Sequence, residues 1–307
     1  MKLHYLMGAL LLGIIFGTAR AEDPTELIFI FQKQKDPAKV KETADKVAEY
    51  LTMKLAMPVK AEVPADYSAS VQALVSKKAD FAYVSAMPFL LARRDGGATI
   101  LLAEERKNVA TDSPQTYYSS IFVVAKDSPL QSISDVVKDS RNVRVCFTSP
   151  TSTSGYIMAY WRLVNEGLLQ PRQDPKEVFQ SVDFGGGYTQ ALEQILAGRA
   201  DLAAVSDYVM EGPKVDVYLT ADQRAKLRIL DRTPGVPTHL ICARGGLSDE
   251  LKAKVKAALL SLSAEHSELL SDVYGASAFV EVDENQHVAK AVEAIEAIGL
   301  PVEGLAK

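Results

Sequence analysis

An α/β protein of two lobes, each built on its own sheet, is the fold the sequence predicts, and three observations predict it. Short apolar runs of strand length alternate with stretches whose apolar residues recur at helical spacing, a pattern of largely parallel sheets. Two polar breaker clusters, Lys126-Asp127-Ser128-Pro129 and Thr233-Pro234-Gly235-Val236-Pro237, mark where the chain changes character. The 307 residues are enough for two domains of ordinary size, each with a core.

The elements follow in order. Residues 1–21 carry a single early Lys2, an apolar run from Tyr5 to Phe16 and a small-residue end, Ala19-Arg20-Ala21. That is the layout of a secretory signal peptide, with cleavage expected before Glu22. The run is shorter than the roughly 20 residues that span a bilayer, and no Cys stands near the cleavage site to accept a lipid. A soluble periplasmic product is therefore expected.

Leu27 to Phe31 then reads as a strand, and Asp36-Pro37 opens a helix with Val40, Ala44, Val47 and Leu51 on one face. Val59 to Val63 is a strand, Tyr67 to Ser76 a helix, and Phe81 to Val84 a strand. A helix with Pro88 in its first turn comes next, then a strand at Ile121 to Val124. A short helix, Ile133 to Val137, leads to the strand Val143 to Phe147, and a second α/β unit runs through Asp201 to Val205. After a last strand, Leu240 to Ala243, only helices are expected: Glu250 to Leu262 and Val288 to Ile298. Residues 22–127 and 233–307 would form a discontinuous first lobe and 128–232 an inserted second lobe. Two crossing segments would join them, and a ligand would bind where the lobes face each other.

Composition narrows the function. The formal net charge is −5, and loss of Lys2 and Arg20 takes it to −7. An acidic chain without a basic run is a poor partner for nucleic acid or an anionic membrane. Cys146 and Cys242 each sit in an apolar run and are expected as buried thiols rather than a disulfide. The four histidines are scattered, so no metal site is expected. Ser154-Gly155 lacks the upstream Gly of a nucleophile elbow, and Gly185-Gly186-Gly187 lacks the spacing of a nucleotide loop. Neither an enzyme nor a cofactor is expected.

The most informative stretch is Thr148-Ser149-Pro150-Thr151-Ser152-Thr153-Ser154-Gly155-Tyr156, between a strand and a helical run. One helix cap needs one hydroxyl, and here three consecutive hydroxyl residues stand at the mouth of a helix. Their O–H groups, with the free N–H groups and positive dipole end of the first turn, suit an anion.

The Ser152-Thr153-Ser154-Gly155 run resembles the signature of periplasmic phosphonate-, phosphite- and phosphate-binding proteins of ABC importers, which are type II periplasmic binding proteins. Asp66-Tyr67, Asp80-Phe81-Ala82-Tyr83, Tyr118-Ser119-Ser120 with Val123 to Pro129, and Gly198-Arg199-Ala200-Asp201 with Leu202 to Val205 resemble further motifs of that family, in its order. The resemblance implies that Ser152, Thr153, Ser154, Tyr67 and Tyr118 contact an oxyanion. Two departures matter. Tyr188 follows the glycines where family members that bind an aminoalkyl phosphonate carry a His, and His239 stands where an Asp would follow Pro237. Asp207 is the acidic candidate that remains.

The expected ligand is accordingly a compact phosphate-like oxyanion, held also by Tyr188, Asp207 and His239. The chain is expected to act as a monomer that delivers this ligand to an ABC permease. The alternative is an oxyanion sensor, for arsenite for example, that presents its ligand to a membrane histidine kinase. N-terminal sequencing of the exported protein is expected to begin at Glu22; a product retaining Met1 would show an uncleaved leader instead.

Overall fold

The computed structural model describes residues 23–108, 111–212 and 214–300, so the leader expected over residues 1–21 lies outside the described residues. The chain begins β1 (Leu27–Phe31), α1 (Pro37–Leu55), β2 (Val59–Glu62), α2 (Tyr67–Val75), β3 (Phe81–Val84) and α3 (Ala86–Gly96). It continues β4 (Thr99–Lys107), β5 (Pro114–Gln115), β6 (Tyr117–Ala125), α4 (Ile133–Asp139) and β7 (Arg144–Phe147). A π-helical turn, Thr153–Met158, runs into α5 (Ala159–Asn165), followed by β8 (Ser181–Phe184), α6 (Tyr188–Leu196) and β9 (Leu202–Ser206). Then come α7 (Ala221–Arg224), β10 (Leu227–Pro237), β11 (Leu240–Ala243), α8 (Asp249–Glu265), α9 (Ser267–Tyr274), β12 (Ala278–Val280) and α10 (Glu284–Ile298).

Local chemistry sets these limits. Asp36 accepts from the Ala38 N–H at 2.9 Å ahead of Pro37, which starts α1. Asp66 does the same for α2 through the Ala69 N–H at 2.8 Å. Ser132 and Asp135 form a reciprocal capping box on α4. Two aspartates ahead of strands tie each sheet together. Asp80 accepts from the Ile28 N–H at 2.9 Å and pairs with Arg244 at 3.0 Å. In the other sheet, Asp201 accepts from the Arg144 N–H at 2.9 Å and pairs with its guanidinium at 2.7 Å.

The strands form two sheets, ordered β12-β4-β11-β3-β1-β2 with β5 on β4, and β10-β6-β9-β7-β8. Both are mixed rather than largely parallel. β1 pairs parallel with β2 and β3, and β7 with β8 and β9, whereas β11, β4, β12, β6 and β10 enter antiparallel. Connectivity accounts for β6 and β11, which are reached by crossing between the lobes and arrive from the opposite end, whereas β12 is added within the first lobe after α9.

Three further expectations are corrected. The breaker cluster at 233–237 lies inside β10, an edge strand along β6. Proline is tolerated on a sheet edge, and the register shift at Gly235, with φ +87°, absorbs the irregularity. The region after Ala243 is not helical throughout, since β12 adds to β4. The sheets also change partner earlier than residues 127/128 and later than 232/233: β6 and β10 both belong wholly to the five-stranded sheet. The crossings therefore fall between β5 and β6 and between β10 and β11. Thr238 ties these together. Its N–H donates to Thr116 O at 3.0 Å, and its buried hydroxyl lies 2.6 Å from Glu104 O and 3.0 Å from Thr116 O.

The C-terminal helix α10 makes a third connection. Near its start, Glu284 accepts from the Ile100 N–H at 2.9 Å and pairs with Arg93 at 3.2 Å. Near its middle, Lys290 sits 4.4 Å over the ring of Trp161 of α5, and at its end the Arg172 N–H donates to Ile298 O at 2.9 Å. Thr238→Val keeps the shape of the crossing but leaves carbonyls without their hydroxyl donor. It is expected to reduce unfolding free energy by about 1–3 kcal/mol in urea titration; an unchanged midpoint would show that the tie contributes nothing.

Candidate functional site

The site begins at the turn after β7. The Ile157 N–H reaches back to Ser152 O at 3.0 Å, an i→i+5 bond that makes the first turn π-helical, a form often met at functional sites. Ser152 caps this turn by accepting from the Gly155 N–H at 3.0 Å. Gly155 is required by close approach: a Cβ there would fall 2.1 Å from Thr148 Oγ1 and 2.4 Å from Thr148 Cβ. Thr148 cannot easily move, because its hydroxyl donates to Ala204 O at 2.8 Å. With the turn pressed against β9, the Ser154 hydroxyl lies 2.9 Å from Ser206 Oγ and 3.1 Å from Tyr188 OH.

The first lobe meets this turn directly. Thr153 Oγ1 accepts from the Met87 N–H at 2.8 Å, in the first turn of α3, so its own O–H hydrogen stays available. The Tyr188 N–H, at the start of α6, donates to Gln34 O at 3.0 Å. Gln34 Oε1 accepts from the hydroxyls of Tyr208 and Tyr218 at 3.1 and 3.4 Å. Gln32 Oε1 accepts from the Ser85 N–H at 3.1 Å, which fixes the orientation of that amide.

These contacts seal a cluster of polar groups that have no hydrogen-bond partner among the described residues. The side-chain amide nitrogens of Gln32 and Gln34, the hydroxyls of Tyr67 and Tyr118, and both ring nitrogens of His239 are buried and unpartnered. Burial, reinforced by the neighbouring Tyr188 and Tyr118, holds the Tyr67 phenol well above its ordinary range. Burial and Tyr188 do the same for Tyr118, against the pull of Ser154 and Ser206. Both phenols therefore keep their protons and remain donors.

Behind them lies a charged pair. Glu104 is fully buried, accepts from the Tyr83 hydroxyl and pairs with Arg106. Burial is the largest influence and pushes its carboxyl up, but Arg106 and His239 together outweigh it and hold the carboxyl at about 2. The guanidinium of Arg106 lies 3.7 Å from the ring of Tyr208 and donates to Tyr274 O at 2.5 Å. His239 Nδ1 is 3.6 Å from Glu104, past hydrogen-bond length.

Of the expected residues, Tyr67, Tyr118, Ser154, Tyr188 and His239 are brought into one cluster, with Thr153 at the seam between the lobes. Ser152 is at its edge as a cap. Asp207 borders it with its oxygens already engaged, by the Ser119 N–H at 3.0 Å, Arg232 at 2.8 Å and the Tyr208 N–H at 2.8 Å. Burial nonetheless raises its pKa above the usual Asp value. Sequence reading missed Gln32, Gln34, Ser206, Tyr208, Tyr218 and Tyr274. None stands in a pattern that separates it from an ordinary loop or core residue; only the placement of Gln32 and Gln34 directly after a strand end offered a hint.

Cys146 and Cys242 are free and buried in different sheets. Burial pushes both thiols up to about 12, so neither offers a thiolate at neutral pH. Two open pockets of about 390 and 490 Å³ flank the cluster on either side of Arg106 and Tyr208. Their lining mixes Glu211 with Lys107, and of the unpartnered groups Tyr118 alone lines either of them, whereas Gln32, Gln34, Tyr67 and His239 line neither, so the sealed cluster is the better candidate.

Residues 29–287 match the family model described as ABC transporter, phosphonate, periplasmic substrate-binding protein. A phosphonates-binding periplasmic protein of Escherichia coli K12 is 22% identical over 202 residues, covering 66% of this chain. The match spans 56% of that relative, little more than half its length. Among solved structures, a binding-protein component of an ABC phosphonate transporter from Pseudomonas aeruginosa superposes with a TM-score of 0.75 at 19% identity, covering 92% of this chain and 95% of its own. PhnD1 from Prochlorococcus marinus, in complex with methylphosphonate, gives 0.74 at 18% identity, with 90% and 99% covered. At these identities the superpositions establish the fold.

Gly155→Ala is expected to lower unfolding free energy by at least about 1–3 kcal/mol in denaturant titration, because the added methyl meets backbone-anchored atoms. A wild-type midpoint would show that the π-helical turn relaxes freely.

Proposed function

The chain belongs to the family of periplasmic substrate-binding proteins of phosphonate ABC transporters, and from that membership we propose that it captures a small phosphate-like oxyanion between its lobes. A simple phosphonate, phosphite or phosphate, delivered in the periplasm to an ABC permease, fits the chemistry. One observation carries this reading: the buried polar side chains of Gln32, Gln34, Tyr67, Tyr118 and His239 have donors without acceptors among the described residues. A buried unsatisfied donor costs about 1–3 kcal/mol, and a tetrahedral oxyanion supplies several acceptor oxygens within one small volume. The hydroxyls of Thr153, Ser154 and Tyr188 complete the shell from the second lobe.

Selectivity follows from what is already engaged. Asp207 is held by Arg232 and two N–H groups, and Glu104 by Arg106 and Tyr83. No free carboxylate among the described site residues remains to receive an ammonium group, which favours a ligand without an amine. Binding rather than turnover is also the better reading of Ser154, whose hydroxyl partners are two other hydroxyls rather than a base.

Calorimetry tests this. Methylphosphonate, phosphite or phosphate is expected to bind at least about 100-fold more tightly than 2-aminoethylphosphonate, about 2.7 kcal/mol. Ser154→Ala and Tyr188→Phe are each expected to weaken the best ligand at least about tenfold, with the melting temperature of the unliganded protein near wild type. Tightest binding by the aminophosphonate would sink the proposed selectivity, and unchanged affinity in both variants would remove the site.

A further inference from the structure

His239 is fully buried, and neither of its ring nitrogens has a hydrogen-bond partner among the described residues. A neutral imidazole carries one N–H donor and one lone pair, and a protonated one carries two donors. From β4 it is faced by the Glu104 carboxylate at 3.6 Å, with Arg106 beyond. From β3 comes Tyr83, with ring centroids 6.4 Å apart, and from β6 Tyr118 at 6.1 Å with the rings 15° from parallel. Tyr208 approaches edge-on at 6.3 Å, and Tyr274 of α9 lies at 5.9 Å. From α10, His287 lies 3.1 Å from Thr238 O, which fixes its Nε2 as the protonated nitrogen, and burial lowers its pKa so that it stays neutral.

The charges around His239 therefore cancel. The Glu104 carboxylate is paired directly with the Arg106 guanidinium, and burial keeps the surrounding tyrosines protonated. An anion enclosed beside this cluster finds donors but no uncompensated positive charge, and an unpaired buried charge is strongly unfavourable. We infer that His239 takes up a proton from solvent when the anion binds, so that an imidazolium bridges the bound anion and Glu104. In that state both nitrogens are donors, one toward the ligand and one toward the carboxylate. This inference rests on the oxyanion reading above and adds that the guest arrives coupled to a proton. The sign follows directly: the liganded protein holds more protons than the free protein, so affinity rises as pH falls, by up to about tenfold per pH unit.

The test is calorimetry of methylphosphonate at about pH 8, above the ordinary His range, in buffers of differing ionisation enthalpy, with wild type and His239→Gln. Ionisation of the ligand itself contributes to both proteins, so the difference in proton uptake reports on His239. Wild type is expected to take up about one proton more per anion bound than the variant. Nitrogen NMR of histidine-labelled wild type supplies a second readout that does not depend on the variant folding, and His239 is expected to turn from neutral to imidazolium on saturation. Equal proton counts, or a neutral His239 in the liganded wild type, overturn the inference while leaving anion binding intact. Absence of binding by methylphosphonate, phosphite and phosphate overturns both it and the oxyanion reading.

Discussion

Hydrogen-bond donors sealed away from water must find acceptors, and the junction between the two sheets of this protein violates that rule at several adjacent side chains. The buried nitrogens of Gln32 and Gln34 and the hydroxyls of Tyr67 and Tyr118 have none among the described residues. Everything around them is arranged to keep them there. Gln32 is held through its other amide atom by the start of α3, and Gln34 by two tyrosine hydroxyls. Such fixed donors need no reorganisation when an acceptor-rich guest arrives, which is the essence of preorganised recognition.

The two lobes contribute differently. The second lobe presents hydroxyls from a backbone turn whose shape depends on one missing side chain, that of Gly155, packed against Thr148. The first lobe contributes amides and aromatic rings backed by the Glu104–Arg106 pair. A buried ion pair of this kind adds little net stability, because the desolvation of both ions offsets their attraction. Its position behind His239 gives it a more specific role, holding a fixed negative charge 3.6 Å from a ring that faces the donor cluster.

Much of this architecture was legible in the sequence because local chemistry and long-range structure agree. Asp36-Pro37 and Asp66 start helices as their residue types dictate, and the apolar run Phe81 to Val84 is a strand buried on both faces. The hydroxyl run at 152–154 was legible as a candidate site because its composition exceeds what a cap requires. Other parts were hidden for physical reasons. The prolines of 233–237 read as breakers, yet an edge strand needs no N–H at those positions. The three-residue β12 is too short to carry a period. Glutamines 32 and 34 sit in a loop whose composition says nothing of burial, and Tyr208 and Tyr274 differ from core tyrosines only by what they face. Asp207 was chosen on residue type alone, which says nothing of the Ser119 N–H and Arg232 that its carboxylate meets within the fold.

The attachment of α10 to both lobes carries a consequence for how they can move. Two antiparallel strands passing side by side form a ribbon, which resists stretching but leaves both bending and twisting open. A helix anchored to one lobe through Glu284 and to the other through Ile298 adds a third, offset strut. Three struts that do not share a line leave a pair of bodies far fewer independent rotations than two do. Rotations of one lobe against the other are thereby restricted, which favours the single register in which Thr153 meets the Met87 N–H.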